Sequence, residues 1–284
     1  MQEKTLFLKI FQPFAQYRNP FTFYYAQTYP LPPKSTIIGM LQNACDDWYG
    51  NEKLEDWWNL KVSVHGGFES VFWNYQNLIK GELGLNADGV WINRNYRKLK
   101  DRNDRNLKIY MWLPLYGEGI TSQRTPVYQQ ELFNGHLYIF IRGDEKIIDC
   151  IKNSLEFPKK VLSLGRSEDI IFIEKVEELK SNGEKDVEET IWLTFPTYII
   201  NEIKLKNKKY PVYSIPIKVV FKNEKGYIKH KSEIFKDTEQ HVDFKVVLYT
   251  GSDYVLYLND KLKVEEFKID DKIKFKIVKD YGWL

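Results

Sequence analysis

Three stretches of the sequence carry residue types that could hold a phosphate. The first is YPLPPKSTIIGML at 29–41, where Pro32 and Pro33 lead into Lys34, Ser35 and Thr36 and then an apolar run. The open N–H groups and positive dipole end of a helix N-terminus favour an anion there. Ser35 also suits an N-cap with Lys34 as an ordinary exposed cation, so both readings stand. The second stretch, 94–108, sets seven basic residues against two acidic ones, beginning with Arg94, Asn95, Arg97 and Lys98, with further Asn and Tyr residues interleaved. Arginines beside Asn and Tyr suit phosphate contact and base stacking, and a solvated hairpin is the plainer alternative. The third is the turn at Leu164, Gly165, Arg166 and Ser167. Its glycine allows close backbone approach and its arginine suits phosphate, or it is only a left-handed turn before a strand.

Other chemistries find little support. His65, His136, His230 and His241 stand apart from any Cys, His or carboxylate at metal-ligand spacing, and no metal or other cofactor is expected. Phosphate-loop, dinucleotide-binding glycine and nucleophile-elbow patterns are missing. A metal-independent ribonuclease using His, Tyr and Lys can still assemble from distant positions. Cys45 and Cys150 lie far apart in helix-like patterns and read as small buried hydrophobes in a reducing compartment. The N-terminus lacks a signal-like apolar region, and no run approaches the roughly 18 apolar residues of a membrane span. A cytoplasmic protein with no membrane contact is the expectation. With 42 basic and 39 acidic residues, any polyanion site must come from local clustering. Aromatic content of 15% exceeds what core filling requires.

The elements that must position these residues follow from periodicity. Residues 4–12 alternate as a strand, with Leu6, Leu8 and Ile10 on one face and Thr5, Phe7, Lys9 and Phe11 on a semi-aromatic other face. Ile37, Ile38, Leu41, Ala44, Cys45 and Trp48 repeat at helical spacing, predicting a helix over 35–49 capped by Ser35 and closed by Gly50. Strands follow at 60–73, interrupted by Gly66 and Gly67, and at 135–142. Asp144 then caps a helix carrying Ile147, Ile148, Ile151 and Leu155, and 170–176 is again a strand. The order β-α-β, insertion, β-α-β predicts an α+β chain on the split βαβ plan, ferredoxin-like (RRM-like). In that plan one sheet face carries both helices and the other is open, often to RNA. The strand GHLYIFIR does not carry the aromatic signature of an RNA-recognition motif, so base stacking on that sheet lacks motif support.

The insertion at about 74–134 is too long for an ordinary loop and contains a strand at 107–113. Residues 168–189, with nine acids and three lysines, read as a solvated turn or linker. Beyond it come short alternating strands. The expected division is 1–180 and a β-rich domain at 190–284.

Three pieces taken in order, YPLPPKSTIIGMLQNA, SQRTPVYQQELFNGHLYIFI and SLGRSEDI, resemble the CRISPR-associated Cas-five family of the RAMP superfamily, especially its B-like subtypes. The resemblance spans about the first 180 residues. It implies a ferredoxin-like domain with a long β-hairpin thumb, a glycine-rich loop and a C-terminal β extension. It implies a non-catalytic, antiviral role: holding the 5′ handle of crRNA in the type I complex Cascade, between the large subunit (Cas-eight) and the first backbone subunit (Cas-seven). In some subtypes this subunit also helps read the protospacer-adjacent motif, which would bring target DNA close. The implied RNA contacts are Lys34, Ser35 and Thr36 at a helix mouth, Arg94, Asn95, Arg97 and Lys98 in or near the thumb, Arg124 on the return strand, and Gly165, Arg166 and Ser167 in the loop. One branch of the family cuts precursor crRNA itself, making a metal-independent endoribonuclease the alternative.

Overall fold

Alternation in EKTLFLKIFQPFA makes β1 (Glu3–Ala15) a strand that buries Leu6, Leu8 and Ile10 on one face. The computed structural model describes residues 3–22, 25–47, 54–79, 82–86, 89–93, 112–114, 124–206, 209–221, 240–270 and 273–284. They fall into two units: Met1–Asn19, Thr28–Phe72 and Glu131–Leu284 form one, and Pro20–Gln27 with Trp73–Gln130 form the other.

In the first unit β1 lies between β7 (Arg124–Asp144) and β8 (Phe172–Leu179), antiparallel to both, and β3 (Lys61–Ile79) pairs with β7 on its far side. The inner face of this sheet, with Leu137, Ile139, Ile141, Val62 and Val64, packs against α1 (Lys34–Cys45) and α3 (Glu145–Glu156). The two helices contribute Ile37, Ile38, Leu41, Ile148, Ile151 and Leu155 at helical spacing. Asp144 caps α3 as expected, its carboxylate accepting from the Lys146 N–H at 3.0 Å. A short helix, α2 (Leu54–Asn59), precedes β3.

Helix α1 departs from expectation at both ends. Pro33, not Ser35, is the N-cap: its carbonyl accepts from Thr36 N and Ile37 N, which places Lys34 and Ser35 inside the first turn. The helix stops at Cys45 because Asp46 turns left-handed (φ 55°), and the Asp47 N–H reaches back to the Gln42 carbonyl. Gly50 lies outside the described residues. Where α1 packs on α3, the Cys45 thiol meets Ser154 and Cys150, so two cysteines distant in sequence are neighbours. Both are reduced, and burial pushes the Cys45 thiol up to about 12.

The outer sheet face is only partly open. At one end Phe7 and Phe140 are buried beneath Phe267 and Phe275 of β15 (Leu262–Asp270) and β16 (Ile273–Val278). Arg142 fastens this contact, donating from Nη1 to Glu265 Oε1 at 3.1 Å while its guanidinium sits 4.2 Å from the Trp283 ring. His65 is sealed into the same layer between Phe140 and Phe275, with only Ser63 among the described residues in side-chain hydrogen-bond reach. Burial lowers its pKa to about 3. The unfolded chain therefore binds a proton near pH 6.5 that the folded chain refuses down to about 3. Stability should fall by up to about 1.4 kcal/mol per pH unit across that window. Urea unfolding from pH 7 to pH 4 checks this: His65→Gln should flatten the decline, and an unchanged slope would contradict it.

The acidic segment is structure rather than linker. Its first half is β8, and its second contains β9 (Glu184–Val187), which pairs with β15. Lysines on and beside the neighbouring strands offset part of its charge: Lys261 meets Asp186, and Lys263 and Lys279 meet Glu184. Of the remaining C-terminal strands, β10 (Thr190–Trp192) pairs with β14 (Val255–Tyr257), and β13 (Gln240–Tyr249) lies between β11 (Tyr198–Ile200) and β12 (Val212–Phe221). This makes the molecule a β-rich α+β protein. No helix among the described residues is long and apolar enough to cross a membrane.

The second unit holds a three-stranded antiparallel sheet of β4 (Glu82–Asn86), β5 (Gly89–Asn93) and β6 (Trp112–Pro114). Its β2 (Tyr25–Ala26) pairs in parallel with Tyr128 and Gln129 of β7. Around that pairing Tyr25 and Tyr128 stack at 5.7 Å, with Trp73 and Tyr75 meeting them edge-on. The basic stretch at 94–108, with Arg94, Asn95, Arg97 and Lys98, lies outside the described residues. So does most of the strand expected at 107–113. Arg124 opens β7.

Candidate nucleic-acid interface

Pro33 sets where helix α1 begins, and so where its first N–H groups point. Those of Lys34 and Ser35 precede any intrahelical acceptor. Lys34 is 92% buried by its 8% exposure, yet among the described residues no carboxylate or hydrogen-bond acceptor partners it. The charge felt there is another cation, Lys218 of β12, which itself pairs with Glu55 at 3.7 Å. Burial first, and Lys218 second, lower the Lys34 pKa to about 8. Two cations and the positive end of a helix dipole thus converge, with Glu55 beside Lys218 as the carboxylate found there among the described residues. A phosphate is an anion that such a helix mouth can hold. Ser35 and Thr36, both half-buried, stand beside it.

The glycine loop is built differently. Gly165 has φ 116°, and a Cβ there would fall 2.7 Å from Asp169 Oδ2 and 2.9 Å from the Gln16 carbonyl. Asp169, fully buried, accepts the Gln16 N–H at 3.0 Å and the Arg166 N–H at 2.8 Å. Arg166 donates from Nη2 to Asp169 and from Nη1 to Glu131, each at 2.8 Å. Burial costs the guanidinium most, but hydrogen bonds to Asp169 and Glu131 more than offset it and raise its pKa. The Ser167 hydroxyl turns to Glu168. Arg166 is therefore spent on closing the loop, and an acidic neighbour guards Ser167. The loop braces β1 against β7: the Gln12 side chain donates to the Leu164 carbonyl at 2.7 Å and receives the Tyr17 hydroxyl at 2.5 Å.

Beyond the covered end of the outer face, the sheet carries side chains that no local motif announced. Phe11 on β1 lies beside His136 of β7 at 5.3 Å and Phe172 of β8 at 6.1 Å, and Phe14 lies against Phe133 at 5.2 Å. Phe172, Phe14 and Phe133 are 55%, 46% and 39% exposed. The semi-aromatic outward face of β1 was the one sequence signal for them. Lys9, one row nearer the covered end, pairs with Glu174 at 2.9 Å.

A family model described as CRISPR-associated protein (Cas_Cas5) matches residues 5–252. No curated protein matches the chain. Among solved structures, a chain titled "CRISPR RNA-guided surveillance complex" is similar at 12% identity and TM-score 0.49, covering 89% of this chain and 90% of that one. A CRISPR protein from Archaeoglobus fulgidus is similar at 10% identity and TM-score 0.42, over 96% and 98%. A chain titled "Crystal structure of Cas protein" gives 12% identity and TM-score 0.38, over 86% and 92%.

Proposed function

The chain belongs to the CRISPR-associated protein (Cas_Cas5) family, and from that premise we propose that it is a non-catalytic RNA-binding subunit of a type I CRISPR interference complex. It holds the 5′ handle of the crRNA, alongside a backbone subunit and the large subunit. In this reading the sheet with α1 and α3 is a ferredoxin-like core, and the second unit with the basic stretch at 94–108 is the thumb. The observation that carries the proposal is the buried Lys34 beside Lys218 at the mouth of α1, for which no carboxylate partner stands among the described residues. A backbone phosphate supplies an anion to this corner. Ser35 and Thr36 add donors, and Arg94, Arg97, Lys98 and Arg124 add electrostatic attraction from the insertion and return strand. Gly165, Arg166 and Ser167 position rather than grip.

Full-length protein incubated in EDTA with end-labelled RNA bearing the repeat-derived handle tests this. Expected are binding without a discrete product and an affinity that falls with salt by about 0.7 log units per log unit of salt for each phosphate neutralised. A specific cleavage product would make the protein the metal-independent endoribonuclease instead. No salt-dependent binding would remove the RNA role.

A further inference from the structure

We propose that the uncovered end of the sheet's outer face is a stacking platform for single-stranded RNA bases, an inference that rests on the RNA-binding reading and extends it to a second contact surface. Across three adjacent strands, His136, Phe11 and Phe172 form one row in register. Phe14 and Phe133, paired directly across the strands, form the next row. The rows are about 10 Å apart along β1, three residues at the strand rise, and between them Asn134 (φ 56°) breaks the alternation, so that Ala15 and Leu132 enter the inner core while Phe14 and Phe133 stand exposed on the other side.

Three of these rings stand 39% to 55% exposed, although the same face buries Phe7 and Phe140 completely where β15 and β16 cover it. Among the described residues the fold thus closes one end of an aromatic face and leaves rings at the other end exposed. Past the Lys9–Glu174 pair the large exposed side chains of this face, Phe172, Phe14 and Phe133, are rings, and they stand in two rows of neighbouring pairs. This favours nucleobases over an aliphatic protein surface, because every base presents a flat π-face whatever its sequence. Contact through stacking would be sequence-tolerant and largely salt-independent. It complements a phosphate held through charge at Lys34.

The test is a cycle between ring removal and base removal. Phe14→Ala and Phe172→Ala, each with a Phe→Trp counterpart, are titrated in the full-length protein with handle-bearing RNA and with a series in which one abasic site walks along it. Each alanine should weaken intact RNA by about 5- to 100-fold. At the stacked nucleotide the abasic site should weaken the wild type similarly and the variant no further, while tryptophan restores binding. If wild type binds and alanine variants match it, or if losses simply add at every position, the platform is refuted while RNA binding stands. If the variants keep RNA but lose a copurifying subunit, the face is a protein interface and the inference fails. If wild type binds no RNA, the underlying reading falls and takes this one with it.

Discussion

Replacing Lys34 with methionine is expected to stabilise the RNA-free protein while weakening its hold on RNA. Among the described residues no carboxylate meets the buried ammonium, and burial, with Lys218 beside it, lowers its pKa from 10.5 to about 8. Below pH 8 it is charged in both folded and unfolded chains, so the full penalty of burying it applies, on the order of 3 kcal/mol. Between pH 8 and 10.5 the folded chain has released the proton and the unfolded chain still binds it, so stability rises with pH and then levels. Lys34→Met removes the penalty and should gain about 1–3 kcal/mol at pH 7, an advantage that closes by about pH 10.5. Chemical denaturation at pH 7 and pH 10 reads both terms. The same substitution should reduce RNA affinity by about tenfold or more, the scale of a charge-assisted phosphate contact. Inorganic phosphate should stabilise the wild type and not the variant. A variant less stable at pH 7 would mean that Lys34 has a counter-charge in the folded protein, and the site would lose its rationale.

Removing the carboxylate of Asp169 is expected to do the opposite. Asp169→Ala should destabilise the protein by about 3–5 kcal/mol, because it leaves Arg166 short of its principal partner and orphans the Gln16 and Arg166 N–H groups. Arg166→Met should cost less, and the double variant little more than Asp169→Ala alone, since both remove one coupled network. Urea midpoints of the three variants measure this. If Arg166→Met left stability untouched but weakened RNA binding strongly, Arg166 would be an RNA ligand and its bonds to Asp169 and Glu131 incidental. Gly165→Ala should disturb the same loop through its positive φ and its close approach to Asp169 Oδ2.

What the sequence disclosed about this fold was local. Period two announced β1 with its Leu6, Leu8 and Ile10 face, and period 3.6 with Asp144 announced α3. Caps were less legible. Ser35 has the right chemistry, but the rigid Pro33 already offers its carbonyl to the first turn and displaces the cap by two positions. The acidic residues 168–189 looked like a turn or linker because charge runs are usually solvated, whereas here they form strands, with Lys263 of β15 and Lys279 just past β16 meeting Glu184. Long-range facts were not legible at all. Nothing near Phe7 or Phe140 says that Phe267 and Phe275 will cover them, and nothing near Cys45 says that Cys150 lies beside it. The candidate site divides the same way. Lys34 was visible as a cation at a helix mouth, but its burial depends on β12, nearly 200 residues away. The aromatic rows draw one ring at a time from β1, β7 and β8, so no motif could contain them.

The most direct measurement of the central claim is site-specific crosslinking in the assembled complex. The complex is purified through a tag on this chain and its RNA is sequenced. It is then rebuilt with RNA carrying a single photoreactive uridine at successive handle positions. The expected result is a discrete RNA whose 5′ handle crosslinks to this subunit, with peptides from 29–41 among the adducts, and whose guide segment crosslinks elsewhere. Handle crosslinks that fall only on other subunits, or a purified complex containing no discrete RNA, would contradict the account.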